Sequence, residues 1–141
     1  MDESCYETGM RIRREVHGDA WVDQAEARRT TFDADFQRFI TEVAWGTLWA
    51  RPNFDRRTRS LLTIAILAAL GRHEELELHV RSSQNTGVTT DEIAETLLHV
   101  AVYAGIPAAN AAFALSKRVL TPTPNEAIDK QTPGKHDKQT D

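Results

Sequence analysis

The stretch L-L-T-I-A-I-L-A-A-L at residues 61–70 constrains this chain more than any other feature. It follows R-R-T-R-S and is closed by Gly71, so it reads as the second half of a helix running from about residue 56 to 70. Wound at 3.6 residues per turn, such a stretch has no polar side to give to water. A helix that is apolar all round must be covered all round. It is too short to cross a bilayer, and four or five other short helices in one domain struggle to cover it, so contact between subunits is expected.

The rest of the chain supplies those helices. Pro and Gly are sparse up to Leu120, and apolar residues recur at helical rather than alternating spacing. A charged first helix is expected over about 2–16, with Tyr6, Met10 and Ile12 as its apolar positions and Gly18 as its stop. Asp33 is placed as an N-cap for a strong amphipathic helix. Its stripe is Phe36, Phe39, Ile40, Val43, Ala44, Thr47 and Leu48, ended by Arg51-Pro52-Asn53. After Gly71 a helix spans about 73–86, with Gly87 as its C-terminal stop. T-T-D-E at 89–92 reads as a capping box, opening a helix with Ile93, Leu97, Val100, Ala101 and Ala104 on one stripe. Gly105 closes it, and Pro107 suits the first turn of a last helix over 108–119. The fold class is therefore all-α, a compact bundle of about six helices forming one domain over residues 1–120. Residues 121–141 are rich in Pro, Thr and mixed charge. They read as a disordered tail, which removes His136 as a ligand or catalyst.

Several classes of function are excluded. A net charge of -4 with no basic run leaves no footprint for a nucleic-acid backbone. The amino terminus M-D-E-S-C-Y-E is acidic where a secretory signal is basic, and no stretch suits a membrane, so the cytoplasm is the expected location. Cys5 is the one cysteine. It permits no internal disulfide, no C-x-x-C pair and no thiolate metal site, and near a chain end it reads as an incidental thiol.

Candidate chemistry gathers at a few spacings. His79 stands four residues after Glu75, on one helix face with a carboxylate that can orient it or raise its pKa, and Arg72 lies three residues before Glu75. By spacing alone the pair reads equally as a solvated ion pair, as Glu77 with Arg81 does. His99 precedes Tyr103 by one turn, as a second candidate or as a structural histidine. Arg51 and Arg59 bracket the A-R-P turn, where a guanidinium can hold a carboxylate bidentately, with Arg56 and Arg57 as competitors. Trp45 and Trp49 lie four apart and serve either as walls for a flat ring or as core.

Four stretches carry a resemblance over roughly residues 1–121. They are W-G-T-L-W-A-R-P with R-T-R-S-L-L-T-I-A, then E-E-L-E-L-H-V-R, G-V-T-T-D-E-I-A-E and Y-A-G-I-P-A-A-N-A-A. In this order they resemble the carboxymuconolactone decarboxylase family, within the alkyl hydroperoxidase D-like superfamily. That superfamily's signature is C-x-x-C-x-x-x-H on a helix, eight residues before a glycine. His79 stands eight residues before Gly87 and matches the histidine, whereas the cysteine positions hold Arg72 and Glu75. Thiol peroxidase chemistry is thereby out of reach.

The resemblance implies an alkyl hydroperoxidase D-like helical bundle that assembles as a trimer or hexamer. Its partner is a small lactone dicarboxylate, decarboxylated without cofactor or metal in the protocatechuate branch of aromatic catabolism. It also tips His79 toward a catalytic role as proton donor or oxyanion partner, with Glu75 beside it and His99 as the alternative. Arg51, Arg59, Arg72, Trp45, Trp49 and Tyr103 are then the expected substrate contacts. The rivals are a decarboxylase or isomerase for a related lactone, and a non-catalytic oligomeric module. The mark of that module would be a buried His79 with no cavity beside it.

Overall fold

The computed structural model describes residues 2–121, so the tail expected from residue 121 onward, with His136, lies almost wholly outside the described residues. Among the described residues there are seven α-helices and one π-helix, with no strand. In chain order these are α1 (Cys5–His17), α2 (Asp19–Ala27), α3 (Ala34–Ile40), the π-helix (Thr41–Leu48), α4 (Arg56–Leu70), α5 (His73–Thr86), α6 (Thr90–Tyr103) and α7 (Ile106–Leu120).

Local chemistry sets most of the boundaries. The Ser4 hydroxyl accepts from the Glu7 N–H while the Glu7 carboxylate accepts from the Ser4 N–H, a capping box that starts α1. Asp55 caps α4 by accepting from the Thr58 N–H at 2.7 Å. Thr89 and Glu92 form the reciprocal box expected at the start of α6. Gly71 and Gly87 end α4 and α5 in the left-handed region, where a glycine carries no Cβ penalty.

Two departures from the sequence reading matter for the site. Gly18 does stop α1, but at φ 87 it turns the chain directly into α2, a seventh helix that the count of about six omits. The long helix from residue 33 also changes character. Asp33 occupies the N-cap position without capping α3, because its carboxylate accepts from the Thr30 N–H instead. From Thr41 the winding widens into the π-helix, and the Trp49 N–H reaches back five residues to the Ala44 carbonyl. Threonine hydroxyls contribute, Thr41 donating to the Gln37 carbonyl and Thr47 to that of Glu42, since such bonds compete with the backbone ladder.

Among the described residues there are two cores. Ile64, Ala68, Leu76, Val80, Ile93, Leu97 and Leu115 join α4 to α7 in one, while Ile12, Val16, Trp45 and Trp49 join α1 to the π-helix in the other. In the second unit the backbones touch. A Cβ added to Gly9 would strike the Thr41 carbonyl, and one added to Gly46 would strike the Cys5 carbonyl. The units are tied where Asn85 of α5 donates to the Val16 carbonyl of α1 at 2.9 Å. On α4, Ile64 and Ala68 are buried, whereas Leu62, Ile66 and Leu70, spaced one turn apart, are 46%, 57% and 63% exposed. Among the described residues no helix is long and apolar enough to cross a membrane.

Candidate active site

A cleft of about 600 Å³ opens at the seam between the two cores. Each neighbouring element contributes side chains: Arg13 and His17 from α1, Trp21 from α2, Gln37 and Ile40 from α3, Trp45 and Leu48 from the π-helix, Thr63 from α4, and Glu75, Leu78 and His79 from α5, with Trp49 just beyond the π-helix. The volume falls in the range of small-molecule sites, roughly 300–1,000 Å³.

Its centre is aromatic. The His17 ring lies 4.8 Å from Trp21, 4.9 Å from Trp45 and 5.0 Å from His79, centroid to centroid. The His79 ring is nearly parallel to Trp45 at 6.3 Å, with Trp49 also at 6.3 Å. His17 Nδ1 shares a 2.6 Å hydrogen bond with the Ser82 hydroxyl, which fixes that ring's orientation. His79 Nδ1 is buried without a hydrogen-bond partner.

Electrostatics follow from burial, which disfavours the charged imidazole. It pushes His17 down to about 3, with His79 and Arg13 adding to the effect. Burial also pushes His79 down to about 4, and the Glu75 carboxylate pulls the other way. At neutral pH the cleft without substrate therefore holds two uncharged imidazoles. Arg13, 5% exposed, is the one Arg or Lys among the described residues lining it.

The structure gathers Glu75, His79, Trp45 and Trp49 and parts them from the other expected residues. Glu75 and His79 line the cleft together without a hydrogen bond or ion pair between them among the described residues, so Glu75 acts on the ring through its charge. Arg72 was expected on that face but sits at the N-cap of α5 with ψ 79, outside helical geometry, so helical spacing does not carry it there. Arg51 is exposed beyond the π-helix. Arg59 is buried, but its guanidinium donates to the Arg51 carbonyl at 3.0 Å and covers the Phe54 ring, clamping the turn rather than facing the cleft. The competitors Arg56 and Arg57 are ion-paired to Glu15 and Glu92, and Glu77 pairs with Arg81 at 3.1 Å. His99 and Tyr103 meet at a tilt, 4.8 Å between ring centroids, both exposed on α6 and away from the cleft of the same chain, with His99 in a groove against α4.

The sequence reading missed Arg13, His17 and Trp21. A signal existed: Arg13 and His17 are four apart and flanked by Ile12 and Val16, the buried positions of α1. An arginine on the buried side of a helix needs a partner or a cavity, but the charges around the helix hide from the sequence which side of α1 is buried.

His79 is half-buried and a cavity stands beside it, so the mark expected of a non-catalytic module is absent. Fold and site together define an all-helical enzyme with a small-molecule cleft at the seam of two packed units. The sequence matches the pattern of the Carboxymuconolactone decarboxylase family over residues 34–118, and the chain belongs to that family. It is 48% identical over 118 residues to the 4-carboxymuconolactone decarboxylase of Acinetobacter baylyi, covering 84% of this chain and 88% of that one. It is also 39% identical over 125 residues to a nitrosuccinic acid decarboxylase of Metarhizium robertsii, covering 89% and 85% respectively.

Proposed function

We propose that this chain is a carboxy-lyase that converts γ-carboxymuconolactone to the enol-lactone of β-ketoadipate and carbon dioxide, in the protocatechuate branch of aromatic catabolism in the cytoplasm. The observation that carries the reading is the placement of His79, half-buried, uncharged and nearly parallel to Trp45, in a cleft whose lining includes one buried arginine. The 48% identity to a relative named for this activity supports it.

The departing carboxylate of this lactone is conjugated through the ring double bond to the lactone carbonyl. When the bond to carbon dioxide breaks, its electron pair moves through that double bond onto the carbonyl oxygen, giving a dienolate. The substrate is its own electron sink, which removes the need for pyridoxal, thiamine or a metal. What is left to the protein is to hold the dianion, stabilise the developing oxyanion and deliver a proton to the carbon beside the carbonyl. An entering dianion raises the proton affinity of the neutral imidazoles, as an opposite charge favours the protonated form. His79 then supplies the proton, Glu75 favours its reprotonation from solvent, and the tryptophans keep water from the ring. An apolar surround for the leaving carboxylate also helps, since tight ion pairing there would stabilise the ground state.

The working unit in this reading is a closed homo-oligomer, a trimer or hexamer. The Leu62, Ile66 and Leu70 stripe supports it, as do Val102 at 76% and Ile106 at 70% exposure in the single chain, because a patch of that kind on a monomer is a liability.

The test is to generate the lactone in situ and follow enol-lactone and carbon dioxide with purified protein after exhaustive chelation. Turnover without added cofactor is expected; activity that vanishes with EDTA and returns with a metal would overturn the mechanism. The 39% identity to the nitrosuccinic acid decarboxylase favours a second reading, decarboxylation of another activated acid. Assaying nitrosuccinic acid beside the lactone decides between them.

A further inference from the structure

We infer that Arg13 is the specificity residue of the cleft, holding the carboxylate that the substrate keeps. The inference rests on the decarboxylation reading and adds a residue outside the part of the chain that matches the family pattern, which begins at residue 34. The anchor is therefore carried by α1, on a wall formed with α2, rather than by the scaffold that the family pattern describes.

The guanidinium is built into the cleft and incompletely satisfied. It is 5% exposed, donates to the Gln37 Oε1 at 3.3 Å, lies 3.5 Å from the Glu26 carboxylate and covers the Trp21 ring at 5.5 Å. The nitrogen that faces Glu26, Nη1, is buried and makes no hydrogen bond at that distance. A buried cationic donor left in this state costs free energy that a ligand can return, and a carboxylate fits an arginine fork with two parallel hydrogen bonds. The retained acetate arm matches that fork better than the departing carboxylate does, because pairing the departing group would slow its loss. The layout agrees. His17 lies one helical turn from Arg13 and 5.0 Å from His79, and all three line the same cleft, as a molecule held by its arm and protonated on its ring requires.

Two butenolides separate the roles, one bearing only the acetate arm and one bearing only the ring carboxylate. Their binding to the purified chain is measured by calorimetry beside lactone turnover. Arg13→Lys should weaken the acetate-arm butenolide at least about tenfold, leave the ring-carboxylate butenolide nearly unchanged and raise KM far more than it lowers kcat. Gln37→Glu keeps the arginine and offers it a competing carboxylate. It should hold or raise the melting temperature while weakening the acetate-arm probe, an outcome that a purely structural arginine does not produce. Equal loss of both probes with a lowered melting temperature in Arg13→Lys, or full affinity in Gln37→Glu, overturns the assignment. Loss confined to the ring-carboxylate probe overturns it too, by placing Arg13 on the leaving group. A wild-type chain that neither binds the probes nor turns over the lactone removes the decarboxylation reading itself, and the role of Arg13 with it.

Discussion

A histidine nearly parallel to a tryptophan 6.3 Å away, with its Nδ1 orphaned, carries most of the chemistry proposed here. His79→Gln should lower turnover on the order of 100-fold or more while leaving helicity and analogue binding intact. If Glu75 acts through that ring, the double variant with Glu75→Gln should be scarcely slower than the poorer single variant, because residues acting as a unit are not additive. A near wild-type rate in His79→Gln would end its assignment. The pH dependence has a definite sign. Both imidazoles have folded pKa values, about 3 for His17 and about 4 for His79, below the unfolded value near 6.5. Their contribution to stability is thus whole above about pH 6.5 and lost as pH falls toward about 4, at up to about 1.4 kcal/mol per pH unit for each ring. The groups that bear on them are His79 and Arg13 for His17, and Glu75 for His79. Chemical denaturation between pH 7 and 4.5 should show this slope, flattened in His17→Gln; an unchanged slope would contradict the burial argument. His79 and Glu75 were legible from spacing and resemblance. Arg13 and His17 were not, since their role depends on which face of α1 meets α5.

At the scale of elements, α4 to α7 were readable nearly to the residue because their ends carry local chemistry: the Thr89–Glu92 box and the left-handed Gly71 and Gly87. The helix α2 and the π-helix were not. Gly18 reads as a stop with nothing to show that the chain restarts at Asp19, and no apolar pattern distinguishes a π turn from an α turn over residues 41–48. That wide turn has consequences for the site, since it carries Trp45 and leads into Trp49, and α1 packs on it backbone to backbone at Gly9 and Gly46. Gly9→Ala forces a methyl group into the Thr41 carbonyl and the Gly46 amide. Overpacking of this kind costs about 1–3 kcal/mol, so the melting temperature should fall and activity should fail at temperatures the wild type tolerates. A melting temperature equal to wild type would show that α1 and the π-helix are not in this contact. Cys5→Ser, at the same seam, should leave turnover nearly unchanged, because its thiol bonds to the Glu42 carbonyl and the Thr47 hydroxyl, outside the cleft; a large loss would revive a thiol role.

For the whole molecule, the all-round apolar character of residues 61–70 turns out to be divided. Ile64 and Ala68 serve the chain's own core, and Leu62, Ile66 and Leu70 form a stripe that the single chain leaves open. Ile66→Asp on that stripe should lower the mass seen by light scattering at micromolar concentration, and a wild-type chain that scatters as a monomer would contradict the oligomer. The account's central claim is that the cleft both releases carbon dioxide and places the proton. Turnover of the lactone in D₂O by chelated protein, read by NMR, tests it most directly. It predicts one carbon dioxide per lactone and a single deuterium on one face of the carbon beside the carbonyl, because a donor fixed in a chiral cleft reaches one face only. Deuterium spread equally over both faces would mean that the proton came from bulk water, and no turnover at all would contradict the account outright.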